Sequence, residues 1–119
     1  MVARILYFGR DTCHRLPVLA SAGYSIESCD SVEELAAALR SRDAASALLV
    51  SDKEVDVAGR AIALTRSHSS VPVVVFRDSN GDPAVTCVDL DVPILTPPSQ
   101  WLPEISALIA QHRKLAGFM

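Results

Sequence analysis

The feature that most constrains this chain is a pair of uninterrupted apolar runs, residues 45–50 (ASALLV) and 72–76 (PVVVF). A strand with one wet face alternates apolar and polar residues; a continuous β-branched run is the pattern of a strand buried on both faces. Such strands belong in a parallel sheet covered by helices on both sides. Shorter runs repeat the theme at 3–8 (ARILYF), 24–29 (YSIESC) and 92–95 (VPIL). With 119 residues, half of them hydrophobic, the chain fits one domain over 1–119 with a real core.

The segments between these runs read as helices of unequal quality. Residues 32–41 are the best, because Ser31 and Glu34 form a capping box and Val32, Leu35, Ala38 and Leu39 share a face. Residues 102–115 carry Ile105, Leu108, Ile109 and Leu115 at helical spacing, with Arg113 and Lys114 where cations suit the dipole. Residues 57–67 form a third helix around Ile62 and Leu64. Residues 12–22 are weaker. Pro17 costs about 3 kcal/mol in a helix interior but is tolerated in a first turn, so this helix is short, starting near Leu16, or bent, and Gly23 ends it. Residues 77–91 open with the turn cluster RDSNGDP, which leaves AVTCVDL (84–90) for a turn or two of helix. The alternation predicts a doubly wound α/β sandwich of about five parallel strands. Ligands in such folds sit at the strand C-termini, which directs attention to 9–12, 51–54, 77–80 and 96–98.

Composition narrows the function classes. A net charge of -3 and a pI near 5.5 argue against a nucleic-acid binder. No apolar run approaches the roughly 18 residues of a membrane span, and MVARILYFGR has no signal-peptide layout, so a cytoplasmic location is expected. Cys13, Cys29 and Cys87 are odd in number and widely spaced, which suits reduced thiols better than disulfides or zinc. His14, His68 and His112 share no ligand spacing. Asp78, Asn80, Asp82 and Asp89 mimic calcium-loop offsets, but Pro83 stands where that loop needs glycine. No phosphate-cradling glycine motif is present; Gly9 and Gly59 are the glycines near strand ends. Glu33 and Glu34 suit the first turn of a helix.

Taken in order, RILYFG, AGYSIESCDSVEELAAAL (22–39), ALLVSDKEVDVAGR, VPVVVF and ILTPP resemble the receiver domain of two-component response regulators over nearly the whole chain. The resemblance implies a flavodoxin-like, receiver-like fold whose fourth helix is eroded, since Arg77 to Thr96 is shorter than usual, and a signalling module of a bacterial phosphorelay. It also implies a site that this chain has lost. Where receivers carry paired magnesium-binding acids, this chain has Gly9 and Arg10, with Asp11 next. Counting back from Gly59 by the usual loop length puts Ser51 in the phosphoacceptor slot and Asp52 one residue late. Arg77 stands for the usual Ser or Thr, and Thr96, before Pro97, for the usual Lys. Phosphoryl transfer to a carboxylate needs a divalent cation and fixed positive charge, and a serine hydroxyl does not replace the aspartate.

The expected function is therefore a pseudo-receiver: no enzyme, no cofactor and no metal, acting through protein–protein contacts with signalling partners or an attached output domain, with a homodimer possible. Two alternatives stay open. One is an unorthodox phospho-accepting receiver using Asp52 with Asp11 and Mg²⁺, which requires a bulge or early strand end to re-aim Asp52; otherwise Asp52 caps the following loop or helix. The other is a small flavodoxin-like domain with a ligand-binding or enzymatic role. Trp101 belongs either to the partner face that the resemblance implies or to the domain's own core. The resemblance further implies a cis Thr96–Pro97 bond.

Overall fold

A computed structural model describes residues 3–11, 14–41, 45–77, 88–93 and 95–116. Nine elements alternate along the chain: β1 (Arg4–Phe8), α1 (Arg15–Ser21), β2 (Ser25–Cys29), α2 (Val32–Leu39), β3 (Ala47–Ser51), α3 (Val55–His68), β4 (Val73–Phe76), β5 (Leu90–Val92) and α4 (Pro98–Ala116). The strands form one all-parallel sheet in the order β2-β1-β3-β4-β5. This is the doubly wound, flavodoxin-like order, and its switch point lies between β1 and β3.

Side-chain alternation through the central strands builds two cores. Ile5, Tyr7, Ala47, Leu49, Val74 and Phe76 face α1 and α4, where Leu19, Trp101, Ile105 and Ile109 meet them. Leu6, Phe8, Leu48, Val50, Val73 and Val75 face α2 and α3, where Leu35, Ala38, Ala58, Ala61 and Ile62 meet them. Every residue of β3 and β4 is buried, as the continuous apolar runs require.

Local chemistry sets the helix starts. The Ser31 hydroxyl accepts the Glu34 amide at 3.1 Å, and Glu34 reaches back to the Asp30 amide at 2.8 Å, one residue earlier than in the ideal capping box. The start of α1 is built differently. Its N-cap, His14, has φ 56° and makes no side-chain cap. Asp11 instead accepts the amides of Arg15 and Leu16 at 2.9 and 3.0 Å. The third helical residue is Pro17, which has no N–H to satisfy, so proline and aspartate together settle the first turn. The helix is short, as the position of Pro17 predicts.

Three expectations need correction. The last strand is Leu90–Val92 rather than 92–95; Thr96 folds back on Pro93 with its amide and its hydroxyl, which ends extension before Leu95. The last helix begins at Pro98, four residues early, and carries Pro103 inside it. Proline at the first helical position supplies the right φ and withholds only an amide that has no intrahelical partner. The Thr96–Pro97 bond is trans, since the described residues hold no cis peptide; the tight Thr96 turn reverses the chain without one. The weak helix expected over 84–90 falls largely outside the described residues, as do Cys13, Cys87 and most of the calcium-like loop, and the side chains of Arg113 and Lys114.

Candidate functional site

At the C-terminal ends of β2, β1 and β3 the sheet opens into a cleft of about 410 Å³. Its floor is made of small groups. Gly9 leaves β1 with φ +108°, a conformation that suits glycine, while its amide donates to the Cys29 carbonyl at 3.1 Å. A Cβ on Gly9 would lie 3.2 Å from the Cβ of Ser51. An aspartate at position 9 would therefore be strained by its backbone and pressed against β3. Ser51 closes β3 and is 6% exposed; its Oγ accepts the Lys53 amide at 3.4 Å. The walls are Arg10 beyond β1, Asp30 beyond β2, and Lys53 and Glu54 in the loop before α3, with Val57 from its first turn. All four charged side chains are exposed.

The cleft gathers three of the residues singled out by sequence, Gly9, Arg10 and Ser51. The others lie elsewhere. Both Asp11 oxygens are engaged by α1. Asp52 follows the last residue of β3, its amide donates to the Phe76 carbonyl at 3.0 Å, and the residue is only 4% exposed. Of the two residues at the end of β3, Ser51 lines the cleft and Asp52 does not. Arg77 leans along the edge strand, with Nη1 3.9 Å from the Asp91 carboxylate. Thr96 is held by the Pro93 carbonyl, and Pro97 accepts the first amides of α4.

Trp101 belongs to the core rather than to a surface. It is 2% exposed and meets Phe76 edge-on at 5.1 Å between centroids. Phe76 in turn lies under the Arg15 guanidinium, 4.2 Å from its ring centroid, and Arg15 Nη1 donates to the Tyr7 hydroxyl at 3.1 Å. Arg15 is thus a buried cation held by a hydroxyl and a ring face.

Sequence reasoning missed Asp30 and the buried Arg15. Asp30 sits just past β2, whose weakly alternating run at 24–29 marks no site. Arg15 gave no signal, because an arginine in a helix reads as surface. Lys53 and Glu54 fall in the strand-end stretch 51–54, but nothing in their spacing assigns them a role.

The donor set does not fit a divalent cation. Gly9 and Arg10 bring no carboxylate to the end of β1, and both Asp11 oxygens are committed to the amides of α1. Among the described residues no group of three or more His, Cys, Asp or Glu side chains is placed to hold a metal ion. Among the described residues, too, no helix is long and apolar enough to cross a membrane.

No protein-family model and no curated protein matches the chain. Solved structures do. A CheY-like response regulator receiver domain from Methanospirillum hungatei is similar at TM-score 0.79 and 15% identity, covering 96% of this chain and 98% of that one. A response regulator from Thermotoga maritima gives 0.73 and 13%, covering 92% and 99%. Full-length FixJ from B. japonicum gives 0.77 and 14%, covering 97% of this chain but 61% of its own length. At these identities the likeness establishes the fold: this chain has the architecture of receiver domains.

Proposed function

We propose that this domain is a receiver-like module of two-component signalling that does not accept a phosphoryl group and works through protein contacts. The observation that carries the reading is the register at the end of β3. Serine lines the cleft beside Gly9, and the neighbouring aspartate is buried off it. The replacement of the metal-binding acids by glycine and arginine supports it, as does the engagement of both Asp11 oxygens by α1. An anionic acceptor with no divalent cation beside it lacks the charge neutralisation that the transfer requires. On this reading the domain catalyses nothing, needs no cofactor, binds no nucleic acid itself and resides in the cytoplasm of a bacterium. Its partners are signalling proteins, an attached output domain or a second copy.

The test is intact mass before and after acetyl phosphate with Mg²⁺. The mass is expected to stay unchanged. A stable adduct of one phosphoryl group, lost on Asp52→Asn, would overturn the reading and make Asp52 a working acceptor.

A further inference from the structure

The misfit between this cleft and a metal ion has a positive side. A receiver site attracts a cation because acids crowd the end of its first strand. Here the charge at that position is reversed. Arg10 extends from β1 and Lys53 from the β3–α3 loop, so two cations border the Gly9–Ser51 floor. Neither side chain is in an ion pair among the described residues. The N-terminal end of α3, a helix of 14 residues, borders the same cleft through Lys53, Glu54 and Val57, and its dipole adds positive potential there. The two carboxylates, Asp30 and Glu54, stand beyond β2 and at the N-cap of α3. Across the sheet order β2-β1-β3 the charges therefore run acid, base, base, acid, with the bases flanking the small-residue floor.

This arrangement selects a ligand class. An oxyanion with two negative charges matches Arg10 and Lys53, and arginine binds such groups through paired N–H donors. The flanking carboxylates accept hydrogen bonds and repel further negative charge, so they favour a ligand whose remainder carries hydroxyl donors. At about 410 Å³ the cleft has the size of a small-molecule site. The geometry points to a reversible, magnesium-independent site for a small hydroxyl-bearing phosphate ester, held by Arg10 and Lys53 over the Gly9–Ser51 floor, with Asp30 and Glu54 reading its hydroxyls. The domain would then sense a phosphorylated small molecule by binding it, in the place where a receiver becomes phosphorylated. The inference rests on the reading above in one respect, the loss of the metal and acceptor; its own test involves no covalent change.

The experiment is an amide NMR titration of the whole chain in EDTA with glycerol 3-phosphate. Inorganic phosphate, and sodium chloride at matched ionic strength, are the comparison arms. Saturable shifts are expected at Gly9, Arg10, Ser51 and Lys53, and glycerol 3-phosphate is expected to bind more tightly than phosphate. The pair Arg10→Glu with Lys53→Glu should weaken binding at least about tenfold, two cations being replaced by anions. Both residues are exposed, so the fold should survive; the neutral pair Arg10→Gln with Lys53→Gln gives the same comparison if it does not. Asp30→Asn with Glu54→Gln should abolish the preference for glycerol 3-phosphate over phosphate. Shifts that follow ionic strength alone, that lie away from the cleft, or that persist in the charge-reversed pair would overturn the proposal. A phosphoryl adduct under acetyl phosphate and Mg²⁺ would instead overturn the pseudo-receiver reading, so the two failures are told apart by covalent mass and by reversible shift.

Discussion

Asp11 shows how one carboxylate can look like a metal ligand in sequence and serve as a helix cap in the fold. Its oxygens sit 2.9 and 3.0 Å from the amides of Arg15 and Leu16, at the positive end of α1. Asp11→Ala should therefore cost about 1 kcal/mol of stability in urea unfolding, the usual loss for a cap, and Asp11→Asn less, because one oxygen acceptor survives. Adding Mg²⁺ should leave both differences unchanged; a magnesium-dependent difference would argue for a metal role instead. Cys29 gives a second residue-level prediction. It is 1% exposed, and burial, reinforced by the charges of Glu27 and Glu34, pushes its thiol up from 9.0 to about 11. Below pH 9 the folded and unfolded chains both keep the proton, and the thiol does not make stability depend on pH. Between pH 9 and 11 the unfolded chain releases a proton that the folded chain retains, so stability falls as pH rises, by roughly 2–3 kcal/mol at most. The difference in unfolding free energy between the parent and Cys29→Ala, followed from pH 8 to pH 11, should shrink across that window. A constant difference would mean that the thiol titrates normally in the fold.

Among the elements, α4 is the one whose role the structure changes most. Its apolar stripe was legible from Ile105 and Ile109, but its start was not, since the stripe marks 102–115 and leaves out the first turn that Pro98 opens. Proline at a first helical position is an asset, and only the trans Thr96–Pro97 bond and the Thr96 turn reveal that α4 begins there. The early start is what carries Trp101 inward onto Phe76. Trp101→Ala should then behave as a core truncation, costing about 3–5 kcal/mol, with loss of cooperative near-ultraviolet signal. Retention of full stability would return Trp101 to the surface and to a docking role. The buried strands were legible because burial on both faces leaves a run of six or fewer apolar residues with no other use. The edge strand β5 was misplaced because three residues, one of them Asp91, give too short a pattern to set a register. The site was legible where strand ends point to it, at Gly9, Arg10 and Ser51. It was not legible at Asp30 or Arg15, whose placement depends on how neighbouring elements pack.

At the scale of the whole molecule, one sheet separates two cores that share almost no side chains. Among the described residues the α1/α4 cluster and the α2/α3 cluster have no member in common, and the strands between them supply residues to both. Whether they melt together depends on how the strands transmit the loss of either face. All five strands are hydrogen-bonded in one sheet, and β1, β3 and β4 contribute alternate residues to both clusters. Peeling away one helical layer would leave Ile5, Tyr7 and Leu49, or Leu6, Phe8 and Leu48, facing water, an exposure that the sheet cannot survive. The domain should therefore unfold in a single transition. Leu35 and Ile105 are both fully buried, one in each cluster. Leu35→Ala and Ile105→Val should each lower that common transition, by about 2–5 and 0.5–1.5 kcal/mol respectively. Because the two residues belong to different clusters on opposite faces of the sheet, their effects in the double variant should add to within about 0.5 kcal/mol. Fluorescence of Trp101 and far-ultraviolet dichroism should report the same midpoint in every variant. If Leu35→Ala instead moved the dichroism midpoint and left the tryptophan midpoint behind, the two layers would be independent folding units. A change at the cleft, which opens on the α2/α3 side at Val57, would then have no route through the sheet to Trp101.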